Sequence, residues 1–178
     1  VKNEADMTNV VLKLGDDIST DIIYPGRYMA TVLPTETPQY AFADISEFNT
    51  RLRRVEILPG SVIVAGKNFG CGSSREQAAS CLKGSELVII ARHFARIFLQ
   101  NSINLGLRTI ICPDIEAEVG DEIEITDEKV FNRSSGKSFA VVPLPAARQA
   151  IINAGGLIAF TRQRLLQQSQ KDIPTSTS

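Results

Sequence analysis

The 178-residue sequence lacks tryptophan, contains only 6% aromatic residues and has a net charge of -1. Nucleic-acid-binding domains usually present a basic surface and aromatic side chains on which bases stack, so the composition gives no support for binding to DNA or RNA. No apolar run approaches the roughly 20 residues that a transmembrane helix needs. The hydrophobic content of 43% and the charged content of 22% are typical of a globular domain.

Residues that bind metals are also scarce. The sequence has one histidine, His93, and three cysteines, Cys71, Cys81 and Cys112. The odd number of cysteines and the absence of a Cys-x-x-Cys pair argue against a disulfide framework and against a zinc site. Their wide spacing lacks the close pair that is usual in iron–sulfur sites. We therefore expect this chain to bind no metal and no cofactor. Free thiols suit a reducing compartment, so we expect the protein to be cytoplasmic.

A glycine-rich segment, residues 66–77, lies between an apolar run, residues 61–65, and a helical pattern, residues 78–83. This order predicts a buried strand, a loop and a helix. Three glycines within seven residues allow a left-handed backbone and a close approach of the chain, which larger side chains would prevent. We therefore expect the functional groups to lie in this loop.

Two serines and an arginine stand where the helix is predicted to begin. Ser73 and Glu76 have the spacing of a capping box. Ser74 and Gln77 have it too, so we expect one of the two serines to cap the helix. The N–H groups of the first helical turn would then face the loop, and Arg75 adds a planar guanidinium suited to a carboxylate. The loop therefore predicts an anion site that contains a hydroxyl group.

Three familiar loop chemistries do not fit this segment. It lacks the Gly-Lys-Ser of a P-loop, it has Arg75 where a dinucleotide-binding loop needs a third glycine, and it lacks the Gly-x-Ser-x-Gly of a hydrolase elbow. His93, the only candidate for a triad base, falls at a predicted strand-to-helix junction. Two interpretations of the residues stay open. Ser73 is either a plain helix cap or a base, stabilised by Arg75, that removes a proton next to a carboxylate.

The order of predicted elements favours an α/β fold. Residues 60–112 read strand, helix, strand, helix, strand, which favours parallel pairing. Residues 120–142 alternate between apolar and polar and predict an antiparallel ladder. We expect one domain, residues 1–167, and a disordered tail, residues 168–178. The other predictions are a first strand at residues 10–14 and helices at residues 39–48, 92–101, 145–154 and 157–167.

Three motifs, in the expected order, carry a resemblance to a known family. Residues 70–76, Gly-Cys-Gly-Ser-Ser-Arg-Glu, are similar to the signature Gly-x-Gly-Ser-Ser-Arg-Glu of the aconitase family. Residues 15–28 resemble the start of the free-standing small subunits of that family, those of the 3-isopropylmalate dehydratases, and residues 94–106 resemble their next helix. The match runs from residue 8 to residue 160, which makes it more specific than any single glycine loop.

The resemblance implies the swivelling β/β/α domain of the aconitase superfamily, with a parallel βαβαβ unit and additional antiparallel strands. It implies a hydro-lyase that interconverts 2-isopropylmalate and 3-isopropylmalate in leucine biosynthesis by dehydration and rehydration. It also implies a large-subunit partner, in a heterodimer or heterotetramer, whose cysteines hold a [4Fe–4S] cluster. The cluster acts as a Lewis acid for the leaving hydroxyl, so we expect this chain to be inactive without its partner.

The same resemblance assigns roles to individual residues. As an alkoxide, Ser73 is expected to abstract the proton. Arg75 is expected to bind a substrate carboxylate and to stabilise the charged base, and Ser74 to hydrogen-bond the substrate. A loop that helps choose the substrate side group is expected to contribute Arg27, Tyr28 and Thr31.

Two other functions remain open at this point. The same machinery could act on a related acid, namely homoaconitate, citramalate or dimethylmalate. The chain could also be a non-catalytic module that keeps only the carboxylate-binding loop. A Ser73→Ala variant separates the catalytic functions from the binding module, because a catalytic base predicts loss of turnover with assembly intact.

Overall fold

The computed structural model describes residues 6–171. These residues form a seven-stranded mixed sheet with the strand order β4-β3-β2-β1-β5-β6-β7. The strands are β1 Asp6–Lys13, β2 Val62–Ala65, β3 Val88–Ala91, β4 Thr109–Ile111, β5 Glu122–Ile125, β6 Lys129–Asn132 and β7 Lys137–Ala140.

The helices are α1 Thr20–Ile23, α2 Ser46–Arg53, α3 Glu76–Gly84, α4 Arg96–Leu105, α5 Ala146–Asn153 and α6 Leu157–Lys171. Helices α1 to α4 lie in the connections between β1 and β4, and α5 and α6 follow β7. Two short 3-10 turns, Gly26–Tyr28 and Thr37–Tyr40, lie between α1 and α2. Over residues 6–171, none of these helices combines the length and the apolar character required to cross a bilayer.

The parallel half of the sheet confirms the predicted β–α–β–α–β unit. β2 pairs with β3, and β3 with β4, in parallel. Every residue of β2 and β3 is buried, as expected for strands covered on both faces. Ile63 and Ile89 point into the core beneath α3 and α4, whereas Val62 and Ile90 point into a second core on the opposite face. Alternate side chains of the same strands therefore build two hydrophobic cores.

The antiparallel ladder is confirmed as well, because β5 pairs with β6 and β6 with β7 in antiparallel register. β1 joins the two halves. Residues 10–13 of β1 run parallel to β2, while residues 6–9 run antiparallel to β5. The strand therefore begins earlier than the predicted residue 10, since its first half exists through pairing with a segment more than a hundred residues away.

The helix predicted over residues 39–48 is wrong in its central part. The 3-10 turn ends at Tyr40, and α2 begins only at Ser46. Between them Phe42 adopts φ +51°, and its N–H donates to the carbonyl of Ile23 at 2.8 Å. The side chain of Phe42 is fully buried, so burial of an aromatic ring against α1 outweighs the helical pattern.

The helix predicted over residues 92–101 begins four residues later, at Arg96. The preceding segment is extended because Phe94 forms a parallel bridge with Phe69. The N–H of Phe69 donates to His93 O at 3.0 Å, and the N–H of Ala95 donates to Phe69 O at 2.9 Å. This extra pairing continues the sheet past the ends of β2 and β3, into the loop that carries the candidate site.

The predicted helix at residues 145–154 is confirmed as α5. The last helix is confirmed too, and it continues to Lys171 instead of ending at Gln167. The remainder of the predicted tail, residues 172–178, lies outside the described residues.

Candidate functional site

Residues 66–75, the serine loop, connect β2 to α3. Gly70 shapes this loop: its φ is +83°, and a Cβ on it would lie 2.2 Å from Cγ of Phe98. Only glycine fits both the left-handed backbone and this close approach to α4. The N–H of Gly70 donates to Ile18 O at 2.7 Å, and the N–H of Thr20 donates to Cys71 O at 2.8 Å. The serine loop is thus held between α4 and the start of α1.

The capping-box prediction is wrong. α3 begins at Glu76 with Arg75 as its N-cap residue, and no side-chain hydrogen bond caps it. Neither serine reaches the first helical turn, because the chain is still extended at Arg75, with φ −60° and ψ +113°. Within residues 6–171, the N–H groups at the start of α3 therefore have no side-chain acceptor. They remain available to an anion, as do the positive ends of other helices.

Ser73 and Ser74 are exposed on the serine loop. The Oγ of Ser73 lies 3.2 Å from Oγ1 of Thr20, which also donates to the carbonyl of Ser73 at 3.2 Å. The carbonyl of Ser74 accepts a hydrogen bond from Nδ2 of Asn101 at 3.3 Å. The side chains of Thr20 on α1 and Asn101 on α4 therefore fix the backbone of the two exposed serines.

Arg75 is anchored along one edge of its guanidinium. Nη1 donates to Oδ1 of Asp21 at 2.5 Å and to the carbonyl of Tyr24 at 3.3 Å. The side chain is 22% exposed, and over the described residues its Nη2 and Nε make no hydrogen bond. The Arg75 guanidinium, together with the N–H of Gly26, holds the pKa of Asp21 below its ordinary value. The remaining donors of Arg75 have the fork geometry that suits a carboxylate.

The predicted substrate residues Arg27 and Tyr28 lie on the 3-10 turn that follows Asp21. Gly26 joins this turn to Arg75, because a Cβ on Gly26 would lie 3.3 Å from Nη2 of Arg75. Arg27 makes two hydrogen bonds to Asp44, at 2.5 and 3.2 Å, which raise the pKa of Arg27. The guanidinium of Arg27 is therefore already paired, unlike that of Arg75, which keeps two donors unused.

Thr31 lies farther along the same loop. Its carbonyl accepts a hydrogen bond from the hydroxyl of Tyr24 at 3.3 Å, and the carbonyl of Tyr28 accepts from the same hydroxyl at 3.1 Å. Tyr24 is fully buried, and its burial raises its pKa. The ring of Tyr28 stacks on Tyr40 with 4.2 Å between centroids. The backbone of the loop is thus tied to the core, and in residues 6–171 no hydrogen bond joins Thr31 to the serine loop.

Sequence reasoning missed the two residues that contact Ser73 and Arg75 from α1. By residue type alone, Thr20 and Asp21 indicate no more than a turn or a helix cap. A signal was available, because both belong to the motif at residues 15–28 that resembles the aconitase family. What the sequence could not reveal is that this motif packs directly on the serine loop, about fifty residues away in the chain.

The described residues of this chain do not fit an iron–sulfur cluster. Across the described part, no group of three or more His, Cys, Asp and Glu side chains could hold a metal ion. Cys81 and Cys112 are buried, and burial raises the pKa of Cys112 to about 11. A thiol that resists ionisation is a poor metal ligand, since the thiolate is the binding form. The described thiols therefore give this chain no cluster with which to catalyse a reaction.

Comparison with known proteins identifies the family. The aconitase C-terminal domain family matches residues 18–114, a span that contains α1, the serine loop and α4. This chain belongs to the aconitase family. The resemblance predicted from three short motifs is thereby confirmed, and so is the mixed α/β fold that it implied.

Relatives within the aconitase family cover nearly the whole chain. A protein of Thermodesulfovibrio yellowstonii named 3-isopropylmalate dehydratase small subunit is 40% identical over 169 residues, which are 92% of this chain and 96% of that protein. A protein of Methanocaldococcus jannaschii named methanogen homoaconitase small subunit is 40% identical over 166 residues, or 92% and 95%.

A crystal structure from Methanocaldococcus jannaschii, titled 3-isopropylmalate dehydratase, has a TM-score of 0.85. It is 38% identical and covers 94% of this chain and 99% of that one.

Proposed function

We propose that this chain is the small subunit of a 3-isopropylmalate dehydratase, which interconverts 2-isopropylmalate and 3-isopropylmalate in leucine biosynthesis. The observation that carries the proposal is the serine loop. It presents an exposed hydroxyl, Ser73, two residues from a guanidinium, Arg75, that is anchored by Asp21 and keeps two donors unused. A hydroxyl beside a carboxylate-binding group is the arrangement that proton removal from a hydroxy acid requires.

In this reaction Ser73 acts as the base in its deprotonated form. Its oxygen takes a proton from one substrate carbon while the neighbouring carbon loses hydroxide, and a double bond forms between them. Addition of water in the opposite orientation returns the proton from Ser73 and places the hydroxyl on the other carbon. The positive charge of Arg75 stabilises the negative oxygen before the proton arrives.

Arg75 binds a substrate carboxylate through the donors that Asp21 leaves unused. Ser74, exposed beside Ser73, supplies a further hydrogen bond to the substrate. The turn that carries Arg27 and Tyr28, and the following loop with Thr31, border this site and contact the substrate side group. Because Asp44 already pairs with Arg27, we propose that Arg27 holds the loop in place and contacts the substrate with the outer edge of its guanidinium.

A large-subunit partner completes the site. The relatives named small subunit support a heteromeric assembly. We propose that the partner carries the [4Fe–4S] cluster, which supplies Lewis-acid chemistry to the leaving hydroxyl. The complex is a heterodimer or a heterotetramer, and its oxygen-sensitive cluster and this chain's unpaired thiols suit the cytoplasm.

A related substrate is the second candidate. The relative named homoaconitase small subunit is as similar to this chain as the relatives named for 3-isopropylmalate dehydratase. Homoaconitate chemistry uses the same proton abstraction, so only the loop around Tyr28 and Thr31 would need to differ. A carboxylate-binding module without activity would keep the anchored Arg75 but would have no use for an exposed Ser73.

Reconstitution tests the proposal. The chain is mixed anaerobically with the large subunit of the same organism, iron and sulfide, and turnover of 2-isopropylmalate is compared with that of homocitrate and citramalate. We expect turnover only in the mixture and mainly on 2-isopropylmalate. Preference for another acid would reassign the substrate, and an assembled, cluster-loaded complex that is inactive on all three would favour the binding module.

A pair of serine variants tests the base. Ser73→Ala should lower kcat by roughly 10²- to 10⁴-fold, the usual contribution of a general base, while assembly with the large subunit is unchanged. Ser169→Ala is the matched control, because Ser169 is exposed on α6 and, among the described residues, its hydroxyl bonds only to Leu165 O of its own helix. Wild-type turnover in Ser73→Ala would contradict the assignment of the base.

A further inference from the structure

A buried hydroxyl lies directly behind the proposed base. Thr20 is the first residue of α1 and is 2% exposed. Its Oγ1 lies 3.2 Å from Oγ of Ser73 and 3.2 Å from the carbonyl of Ser73. Its backbone is fixed as well, because the N–H of Thr20 donates to Cys71 O at 2.8 Å. Both ends of Thr20 are therefore bonded to the serine loop.

The two contacts of Thr20 Oγ1 differ in what they permit. A carbonyl only accepts, so Thr20 must donate its single proton to reach the carbonyl of Ser73. In that arrangement the Ser73 hydroxyl can donate to a lone pair of Thr20, and both hydroxyls are satisfied. When Ser73 has lost its proton it can only accept, and the proton of Thr20 must turn from the carbonyl to the Ser73 oxygen.

We propose that Thr20 is a positioning residue for the base: its hydroxyl aims Ser73 and donates a hydrogen bond to the Ser73 alkoxide. This inference rests on the proposed function of Ser73. The donor favours the charged form of Ser73, because a hydrogen bond to an anion is stronger than one between neutral groups. When Ser73 takes the substrate proton, Thr20 turns back to the carbonyl and accepts from the Ser73 hydroxyl.

Because Thr20 is buried, water cannot replace its hydroxyl as the donor to Ser73. Thr20 is 2% exposed, and both its backbone N–H and its hydroxyl bond to the serine loop. A hydroxyl on an exposed side chain would be exchangeable with solvent and would contribute little. Thr20 does not touch the substrate in this assignment, so its removal should slow the chemical step and leave substrate binding nearly unchanged.

The test uses the reconstituted complex and two substitutions of Thr20. Thr20→Val keeps the shape and removes the hydroxyl, whereas Thr20→Ser keeps the hydroxyl. We expect Thr20→Val to lower kcat roughly ten- to a hundredfold, to leave KM within about threefold, and to move the acidic limb of the kcat/KM profile to higher pH. Thr20→Ser should restore kcat to within about threefold of the wild type.

Thr37→Val is the matched control. Thr37 is also a fully buried threonine, and its hydroxyl bonds to Pro34 O and to Oγ of Ser80, away from the serine loop. It should lower the melting temperature of the isolated chain without moving the pH profile. A double variant, Thr20→Val with Ser73→Ala, should be no slower than Ser73→Ala alone, because Thr20 acts only through Ser73.

Several outcomes overturn the inference. Thr20→Val with the wild-type pH profile and kcat would do so, and so would a further loss of rate in the Ser73→Ala background. If Thr20→Val does not assemble, Thr20→Ala replaces it with the same expected profile and the same grounds for rejection. If the wild type is active and Ser73→Ala is not, wild-type kcat and pH profile in Thr20→Val reject this inference alone. An inactive wild-type complex rejects the proposed function as well.

Discussion

Arg75 is oriented by a partner that the folded state keeps ionised. The carboxylate of Asp21 accepts from Nη1 of Arg75 and from the N–H of Gly26, and its pKa is lowered from 3.8. A depressed carboxylate pKa means that the ion pair is intact at neutral pH and above. Its contribution is lost as the pH falls through the lowered value, well below the range in which the enzyme would work.

The first prediction follows from this pair. Arg75→Met removes the charge and should raise the pKa of Asp21 toward 3.8, the ordinary value, without reaching it, because the N–H of Gly26 still donates. The measurement is an NMR titration of the Asp21 carboxyl carbon in the isolated chain. Arg54→Met is the control, since Arg54 lies 3.9 Å from Glu56 and has no part in the lowered pKa of Asp21, so it should not move the Asp21 titration. An unchanged pKa in Arg75→Met would mean that the pair does not persist in solution.

At the same scale, the site residues could be predicted only in part. Ser73, Ser74 and Arg75 stand in one contiguous motif, so their proximity follows from the sequence. Their local geometry does not follow from it, because Ser73 contacts Thr20, which is distant in sequence, instead of capping α3. Tertiary contacts of this kind leave no trace in the spacing of residues along a loop.

Among the elements, the serine loop and α4 depend on a single glycine. A Cβ on Gly70 would lie 2.2 to 2.7 Å from three atoms of Phe98, whose ring packs on Phe69 and Phe94. This aromatic cluster joins the serine loop, through Phe69, to α4, through Phe98, so any shift that relieves the clash must move either α4 or the loop.

The second prediction compares two glycines with similar backbones. Gly70→Ala should destabilise the isolated chain by roughly 3 kcal/mol, because a left-handed backbone and a clash act together. Gly120→Ala is the control: its φ is +94°, but nothing lies within 4 Å of its Cβ position, so strain alone should cost about 1 kcal/mol. Chemical denaturation measures both values. Equal losses would show that Phe98 yields to the added methyl group.

Elements with a continuous apolar pattern could be predicted, and those shaped by distant partners could not. β2 and β3 are buried on both faces, and their continuous apolar sequences, Val-Ile-Val-Ala and Val-Ile-Ile-Ala, predict this burial. Residues 92–95 look helical on their own pattern, yet they pair with Phe69. The segment around Phe42 likewise has a helical pattern but is not helical, because Phe42 bonds to Ile23.

At the scale of the whole molecule, β1 joins the parallel half of the sheet to the antiparallel half. Within the described residues it is the one strand that has a parallel strand on one side and an antiparallel strand on the other. The parallel β2–β4 unit was predictable from local pattern, and so was the β5–β7 ladder, but the strand that joins them requires knowledge of the fold. We propose on this basis that residues 1–167 are a single domain.

The last prediction tests whether the two halves of the sheet unfold together. Val10 of β1 is 1% exposed and packs in the core that Val62 and Ile123 share. Val10→Ala should cost about 2 kcal/mol of unfolding free energy and lower hydrogen-exchange protection equally in β2 and β5. Val130→Ala, on β6, is the companion variant, because its side chain belongs to the same core but lies two strands from β1. Joint loss of protection in both variants is expected of one cooperative unit. Loss confined to β5–β7 in Val130→Ala would mean that the ladder opens separately and that β1 does not unite the domain.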